Sequence, residues 1–253
     1  MLAATTRDEV PRADVFSLAG YQKLVSELIA RGYAITGYES ADPTKAHLIL
    51  RHDVDFDLEL AVKLAEVEAD RGWRSHYFVL LRTEFYNPFS GSGTRLVQRL
   101  VMLGHQVGLH FDASLYPARA AALEDGVVSE CRLLGSVTER DVRLFSLHRP
   151  HPELLQHGIE VPGLLNAYGP RFFDGMGYCS DSRGSWRHGH PLDHAAVVGR
   201  RALQLLTHPI WWVDGSRDPS DKCGAFLDRR ALHLDDEMQR NCQVYRGRES
   251  QGR

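Results

Sequence analysis

Two carboxylates separated by one residue follow an apolar run in the first quarter of the chain. The run Leu48-Ile49-Leu50 predicts a short buried strand, because aliphatic side chains occupy successive positions and therefore both faces. Asp53 and Asp55 come next, and side chains two apart on an extended chain point to the same side, about 6–7 Å apart. Two carboxylates in one place repel each other unless a divalent metal or a shared proton holds them. The spacing therefore predicts a metal or proton site.

An acidic loop that caps the following helix is the alternative explanation of this cluster. Asp57 directly precedes an amphipathic segment that begins at Leu58, and Asp is a favoured N-cap residue. We therefore interpret Asp57 as a helix cap, and Asp53 and Asp55 as the candidates for chemistry.

Further polar residues occupy corresponding places along the chain, each at the end of a predicted strand. Strand-like apolar runs alternate with helical periodicity, which favours an α/β fold with a parallel, barrel-like sheet wrapped by helices. In such a barrel the catalytic groups come from the carboxyl ends of several strands. The strand ends supply Asp53, Asp55, His110, His148, Asp181 and His208.

The elements that must position these residues follow from periodicity and from turn residues. Predicted strands cover 48–50, 76–81, 106–109, 142–147, 177–180 and 203–206. Predicted helices cover 17–31, 58–70, 94–103, 118–134 and 225–240. Residues 87–93 are predicted to form a surface loop and 153–174 an irregular segment. We predict a flexible tail over 1–12 and a single domain over 13–253 with a C-terminal helical extension.

Composition excludes several classes of protein. The 253 residues carry a net charge of −3, so there is no basic field and nucleic acid is not an expected partner. The four cysteines show no paired spacing, which indicates free thiols in a reducing compartment. The segment 1–14 has no apolar core of a secretory signal, and no run reaches the ~18 apolar residues of a membrane span. The cytoplasm is the expected location, and the oligomeric state stays open.

Several short segments between residues 45 and 213 resemble the polysaccharide deacetylases of carbohydrate esterase family 4. The resemblance implies a distorted (β/α) barrel, usually of seven strands, that hydrolyses acetyl amides on sugars with one divalent metal, often zinc. The segments similar to the five motifs of the family are Asp53-Val54-Asp55, Gly104 to His110, Val142 to Pro152, Asp181 and Leu205 to Pro209.

The resemblance implies a role for each matching residue. Asp53 would be the catalytic base and Asp55 a metal ligand. His110 would be the first metal-binding histidine and His208 the general acid. Asp181 would orient the base. The leucines of the fifth segment would line the acetyl pocket.

The chain departs from the family pattern at the second metal-binding histidine, where Ser114 stands instead. A catalytic zinc site generally has three protein ligands and a water. The candidates for the third ligand are His148, Asp112 and His105. We favour His148, because it lies at another strand end and imidazole suits zinc. His105 precedes a strand, and we expect it at a helix end or the surface, away from the catalytic end.

The third motif of the family normally carries an arginine, a proline and an aromatic residue. Aligned on Pro150, His148 replaces the arginine and His151 the aromatic residue. Shifted by one position, Arg149 is the arginine of the motif, and it is then a candidate catalytic residue. Both registers stay open.

These assignments together predict a metal-dependent hydrolase of a carbon–nitrogen bond. The metal, with zinc as the expected ion, polarises the amide carbonyl and activates water, Asp53 takes the proton of the water, and His208 protonates the leaving nitrogen. The expected substrate is an N-acetyl amino sugar or a glycan precursor. The alternatives are a small linear or cyclic amide, and a catalytically inactive barrel that binds carbohydrate or serves as a scaffold, which the loss of the histidine at Ser114 motivates.

Overall fold

The architecture is a parallel sheet covered by helices, seen in a computed structural model that describes residues 16–187, 189–215 and 218–248. The strands in these ranges are β1 (Ala34–Ile35), β2 (His47–Val54), β3 (His76–Leu80), β4 (Gln106–Phe111), β5 (Leu144–Leu147), β6 (Leu165–Asn166), β7 (Gly177–Ser180) and β8 (Leu203–Thr207). Every strand pairs in parallel with its neighbours.

The order of the strands across the sheet is β6-β5-β4-β3-β2-β8-β7, and the short β1 pairs with β2 outside this path. The seven strands of the path form a curled half-barrel that stays open between β6 and β7. The predicted α/β fold with about seven parallel strands is therefore confirmed. Strand β2 lies near the middle of the path, so the carboxylates at its end have neighbours on both sides.

A helix lies between each pair of successive strands from β2 to β8, as the alternating pattern of the sequence predicted. The helices of the described ranges are α1 (Leu18–Ala30), α2 (Leu58–Asp70), α3 (Gly91–Met102), α4 (Ala120–Thr138), α5 (Pro152–His157), α6 (Pro170–Phe173), α7 (Ala195–Val198), α8 (Pro209–Val213) and α9 (Pro219–Asn241). Asp57 is the N-cap of α2, and its Oδ1 accepts hydrogen bonds from the backbone N of Glu59 at 2.8 Å and of Leu60 at 3.3 Å. The interpretation of Asp57 as a cap is confirmed.

Two segments predicted to be without regular structure contain short elements. Helix α3 begins at Gly91, inside the predicted loop 87–93, because the Ser90 hydroxyl accepts a hydrogen bond from Gly93 N at 3.0 Å and caps the first turn. The predicted irregular segment 153–174 contains most of α5, together with β6 and α6. These predictions were wrong because capping and strand pairing outweigh the low intrinsic propensity of glycine and proline.

Alternate residues of β2 face two different layers. Leu48 and Leu50 pack in the apolar layer beneath helices α1 and α2. Ile49 packs in the concave interior with Tyr38 and Phe78. Side chains alternate along a strand, so the odd-numbered residues that follow, both carboxylates included, face the concave interior.

The remaining predictions about the whole chain have different outcomes. The predicted tail, residues 1–12, lies outside the described residues, and the single-domain prediction stays a prediction. All four cysteines are free thiols, as predicted. Among the described helices, none combines the length and the apolar composition needed to span a lipid bilayer.

Candidate active site and metal centre

Three side chains from three strand ends meet in the concave interior. Asp55 follows β2, His110 lies in β4 and His148 follows β5. The Oδ1 atom of Asp55 lies 3.1 Å from Nε2 of His110 and 3.4 Å from Nδ1 of His148. The two imidazole nitrogens are 3.2 Å apart. Ligands about 2 Å from a tetrahedral ion are about 3.3 Å from one another, so this triangle has the size of one face of a zinc tetrahedron.

The donor set and its surroundings fit a divalent metal. Oδ1 of Asp55 is buried and has no hydrogen-bond partner, although two imidazole nitrogens lie close to it, and an acceptor buried in this way is costly. Nδ1 of His110 lies 2.7 Å from the Ser146 hydroxyl. When Nδ1–H donates to Ser146, the Nε2 lone pair points into the triangle, which is the usual arrangement of a metal-binding histidine. One carboxylate and two imidazoles are a typical zinc donor set.

The charge state of Asp55 agrees with this interpretation. Burial by itself raises the pKa of a carboxyl group. The nearby imidazoles of His110, His148 and His208 outweigh this effect and hold the pKa of Asp55 well below its usual value. Asp55 is therefore a carboxylate, as a metal ligand must be.

Asp53 lies beside the triangle and is held by Arg51 of the same strand. The guanidinium donates from Nε to Oδ1 at 2.9 Å and from Nη2 to Oδ2 at 2.8 Å. Oδ2 is also 3.6 Å from Nε2 of His110. Burial raises the pKa of Asp53, but the charge of Arg51 and its hydrogen bonds bring the pKa below its usual value. Asp53 is an ionised carboxylate next to the candidate metal position.

His208 approaches the same position from the end of β8. Its Nδ1 lies 2.6 Å from Oδ1 of Asp181, and its Nε2 lies 3.8 Å from Oδ2 of Asp55. Burial lowers the pKa of His208, but the Asp181 carboxylate outweighs this and raises the pKa to about 9. His208 is therefore an imidazolium at neutral pH, with Nε2–H directed towards the site.

Asp181 contacts a different partner from the one the resemblance implied. The carboxylate was predicted to orient Asp53. It instead accepts hydrogen bonds from His208 and, at Oδ2, from the indole Nε1 of Trp212 at 2.6 Å. The reason is topological, because β7 and β8 are paired neighbours. Asp181 is placed to orient the candidate acid rather than the base.

One wide cavity of about 860 Å³ is lined by Asp53, Asp55, His110, His148 and His208. The aromatic residues of its wall are Phe56, Tyr168, Tyr178 and Trp211. Of the two leucines predicted to line the acetyl pocket, Leu206 lines the cavity. Leu205 packs instead in the apolar layer beneath the helices.

Three other predicted residues lie away from the metal triangle. Arg149 stands on the rim of the cavity with 75% of its side chain exposed, and it donates to Oδ2 of Asp112 at 3.1 Å. Its catalytic role stays a prediction. Asp112 caps a turn by accepting from Ser114 N at 3.0 Å. His105 follows the end of α3 and directly precedes β4, so its expected place at a helix end away from the catalytic end is confirmed; its side chain is buried, with Nε2 2.9 Å from the carbonyl oxygen of Ala65. Neither of these two reaches the triangle.

Sequence reasoning missed Arg51. Arginine is almost never fully buried without a charged partner, and this one stands inside a strand that was otherwise read as apolar. Its separation of two residues from Asp53 puts both side chains on one face of β2. That spacing was the available signal.

Comparison with known proteins gives similar solved structures but no matching sequence. No family model matches the chain, and no curated protein matches it. One similar structure is a pseudoenzyme of carbohydrate esterase family 4 from Bacillus anthracis, with 14% identity and a TM-score of 0.41 over 74% of this chain and 63% of that one. The chain thus spans less than two thirds of that protein.

Two other similar structures belong to proteins described as enzymes. A family 4 acetyl xylan esterase from Clostridium thermocellum, in complex with a cobalt ion, has 15% identity and a TM-score of 0.40 over 72% of this chain and 84% of that one. A mutant of the peptidoglycan deacetylase PdaC from Bacillus subtilis has 12% identity and a TM-score of 0.42 over 80% and 100%. The pseudoenzyme and the acetyl xylan esterase are both described as members of family 4, the carbohydrate esterase family that the sequence motifs resemble.

Proposed function

We propose that this chain is a metal-dependent amide hydrolase that removes the acetyl group from an N-acetyl amino sugar. The observation that carries the proposal is the triangle of Asp55, His110 and His148, with a carboxylate and an imidazolium beside it. Zinc is the ion that we propose, because two imidazoles and one carboxylate also form catalytic zinc sites. When bound, the ion would supply a Lewis acid for the scissile carbonyl and for the attacking water.

Asp53 is the proposed general base. Its carboxylate is ionised, buried and fixed in one orientation by two hydrogen bonds from Arg51. Oδ2 faces His110 and therefore the space next to the metal position. A carboxylate fixed there takes a proton from water without first losing the entropy of being oriented.

His208 is the proposed general acid. The nitrogen of an amide departs only when it is protonated, so the reaction needs a donor near neutral pH. Asp181 supplies this by raising the pKa of His208 and by fixing the ring through Nδ1, which leaves Nε2–H as the donor. In this proposal Asp181 is a positioning residue. Arg149, on the rim of the cavity, takes no part in the proton transfers.

The cavity supports a sugar as the substrate. Aromatic rings pack against the apolar faces of sugar rings, and hydroxyl groups match their polar edges. Tyr168 and Tyr178 line the cavity and offer both, with their hydroxyl oxygens 3.5 Å apart. Similar solved structures include an acetyl xylan esterase and a peptidoglycan deacetylase, which agrees with a carbohydrate substrate.

A non-catalytic barrel is the second candidate function. A similar structure belongs to a family 4 pseudoenzyme, and Ser114 stands where the family has a metal-binding histidine. The position of His148 in the triangle favours the hydrolase, because it restores a third ligand.

The decisive experiment compares substrates on zinc-loaded protein. Acetate release is measured with N-acetylglucosamine and its oligomers, and amide cleavage with small linear amides and with hydantoin. We expect turnover only on the acetylated sugars. Turnover on the small amides alone would show that small amides, and not acetylated sugars, are the substrates. Binding of sugar oligomers without turnover would show that the protein is a non-catalytic sugar-binding barrel.

The variant Asp53→Asn is the matched control for catalysis. It removes the base but none of the three ligands, so we expect full zinc content and a loss of turnover of about 10²–10⁴-fold. A variant that keeps its turnover would remove Asp53 from the mechanism.

A further inference from the structure

Two carboxylates lie within reach of the same histidine nitrogen. Nε2 of His110 is 3.1 Å from Oδ1 of Asp55 and 3.6 Å from Oδ2 of Asp53. Either carboxylate is therefore close enough to serve as a ligand of one ion at the triangle. Distance alone does not explain why one would bind the ion and the other act as a base.

Hydrogen bonding separates the two carboxylates sharply. Both oxygens of Asp53 accept charge-assisted hydrogen bonds from the Arg51 guanidinium. Oδ1 of Asp55, in contrast, is buried without a partner. Bidentate arginine–carboxylate pairs are strong and strictly oriented. Asp53 therefore has its oxygens occupied, whereas Asp55 has one oxygen free to coordinate.

The guanidinium of Arg51 is itself held in place by two aromatic rings and an amide side chain. Arg51 is completely buried, and its guanidinium lies 4.5 Å from the ring centre of Tyr168 and 5.2 Å from that of Phe78. Its Nη1 is 3.5 Å from Oε1 of Gln204, which also accepts a hydrogen bond from Tyr38. Aromatic faces and a braced amide leave the planar fork in one orientation.

We propose that Arg51 is a positioning residue that assigns the two carboxylates their different roles, because it keeps Asp53 out of the ligand set of the metal. The inference rests on the proposed function. Without the guanidinium, Asp53 would be a buried, unpaired carboxylate next to a cation, and rotation onto the ion would satisfy it. It would then fill the position that a catalytic metal site keeps open for water or substrate.

The test uses Co²⁺ as the probe, because its visible absorption reports the number and type of its ligands. The variant Arg51→Met removes the guanidinium and keeps an apolar side chain of similar length. We expect Co²⁺ affinity equal to or higher than in the wild type, an altered visible spectrum and a loss of acetate release of at least about 100-fold. A purely structural role of Arg51 would weaken Co²⁺ binding and turnover together.

The double variant Arg51→Met/Asp53→Asn is the matched control. It also removes the unpaired charge, so its Co²⁺ spectrum is expected to return to that of the wild type while turnover stays low. The variant Arg51→Lys keeps the charge without the fork and is expected to fold and to show an intermediate spectrum. These two variants keep the inference testable if Arg51→Met does not fold.

Two results would overturn the inference in distinguishable ways. A folded Arg51→Met that keeps the wild-type Co²⁺ spectrum, or that loses more than about tenfold in Co²⁺ affinity, would refute the role of Arg51 and leave the proposed function standing. A wild-type protein that binds no Co²⁺ would refute the proposed function, and this inference with it.

Discussion

Buried charged groups lie on both faces of strand β2, and the two clusters differ in how their hydrogen bonds are satisfied. The site cluster on the concave face contains Asp53, Asp55 and their partners. The second, which we call the Glu68 cluster, lies on the opposite face, beneath helices α1 and α2. Both are built from carboxylates and histidines, so residue type does not distinguish them.

The Glu68 cluster is closed and fully bonded. The Glu68 carboxylate accepts hydrogen bonds from Tyr21 at 2.5 Å, Ser75 at 2.6 Å and Tyr77 at 2.6 Å, and lies 3.0 Å from Nε2 of His52. All five residues are buried. Burial raises the pKa of Glu68, but His52 and the hydrogen bonds outweigh it and lower the pKa to about 2.

The site cluster is open and incomplete. It borders a cavity of about 860 Å³, and Oδ1 of Asp55 has no hydrogen-bond donor. A carboxylate whose oxygens already accept several hydrogen bonds has no free acceptor for a ligand. A carboxylate with an unbonded oxygen beside a cavity can bind one. Accessibility and an unmet bonding capacity, rather than the density of ionisable residues, separate a site from a structural network.

The largest effect is expected from Asp55→Ala. This change removes one corner of the metal triangle, so metal binding and hydrolysis should both fall to background. Elemental analysis after incubation with excess zinc measures the first, and acetate release the second. Asp57→Ala is the matched control, because it removes the cap of α2 at a cost of about 1 kcal/mol and leaves the metal content intact. Full metal content in Asp55→Ala would contradict the assignment.

The next largest effect is expected at the histidine–aspartate pair. His208→Gln should lower turnover by about 10²–10⁴-fold with unchanged metal content. Asp181→Asn removes the carboxylate that raises the pKa of His208 to about 9. The active, protonated form is lost as pH rises through that pKa, so the alkaline limb of the kcat/KM profile should move to lower pH in Asp181→Asn. An unmoved limb would separate His208 from proton donation.

Glu68→Gln tests the other side of the comparison. Loss of a buried charge from a bonded network should lower the free energy of unfolding by about 3–5 kcal/mol, measured in urea, with unchanged metal content per folded protein. The exposed pair of Glu66 and Arg99 provides the control, and Glu66→Gln should cost at most about 1 kcal/mol. Loss of metal in Glu68→Gln would mean that the two clusters are coupled.

The same variant has an expected pH dependence. The pKa of Glu68 is about 2 in the folded protein and about 4.5 as an ordinary glutamate. Its contribution to stability is therefore present above pH 4.5 and is lost as pH falls towards 2. Urea unfolding between these pH values should show a smaller loss of stability with pH in Glu68→Gln than in the wild type.

A smaller effect is expected from Ser146→Ala. The hydroxyl of Ser146 lies 2.7 Å from Nδ1 of His110 and so fixes the ring whose Nε2 faces the candidate metal position. Removal of such a partner typically weakens metal binding by about 10–100-fold. A zinc titration with a competing chelator measures this, and an unchanged affinity would show that the ring is fixed by packing alone.

The smallest effect is expected from Arg149→Ala. The side chain is 75% exposed and pairs with Asp112, and exposed ion pairs contribute about 0–1 kcal/mol. Turnover should change by less than about fivefold on this scale. A much larger loss would restore Arg149 to the reaction, as the shifted register of the third motif suggested.

Most of the fold and a large part of the candidate site could be predicted from local sequence patterns. Strand and helix periodicity predicted the parallel α/β sheet, and the residues at strand ends proved to be neighbours, because carboxyl ends of parallel strands meet at one edge. The short helices and the strand between residues 152 and 173 were not predicted, because they depend on pairing with segments that are distant in sequence. The place of His105 at the end of α3 was predicted, but its burial was not, because burial depends on contacts with residues that are distant in sequence.

By itself, the sequence determined which chemical groups stand at the end of each strand, because backbone periodicity is local. Only the tertiary structure decided which groups touch. It brought His148 rather than Asp112 or His105 within 3.4 Å of Asp55, and it paired Asp181 with His208. Such contacts join residues up to 93 positions apart in the triangle, and they are set by the order and curvature of the strands, which no local pattern records.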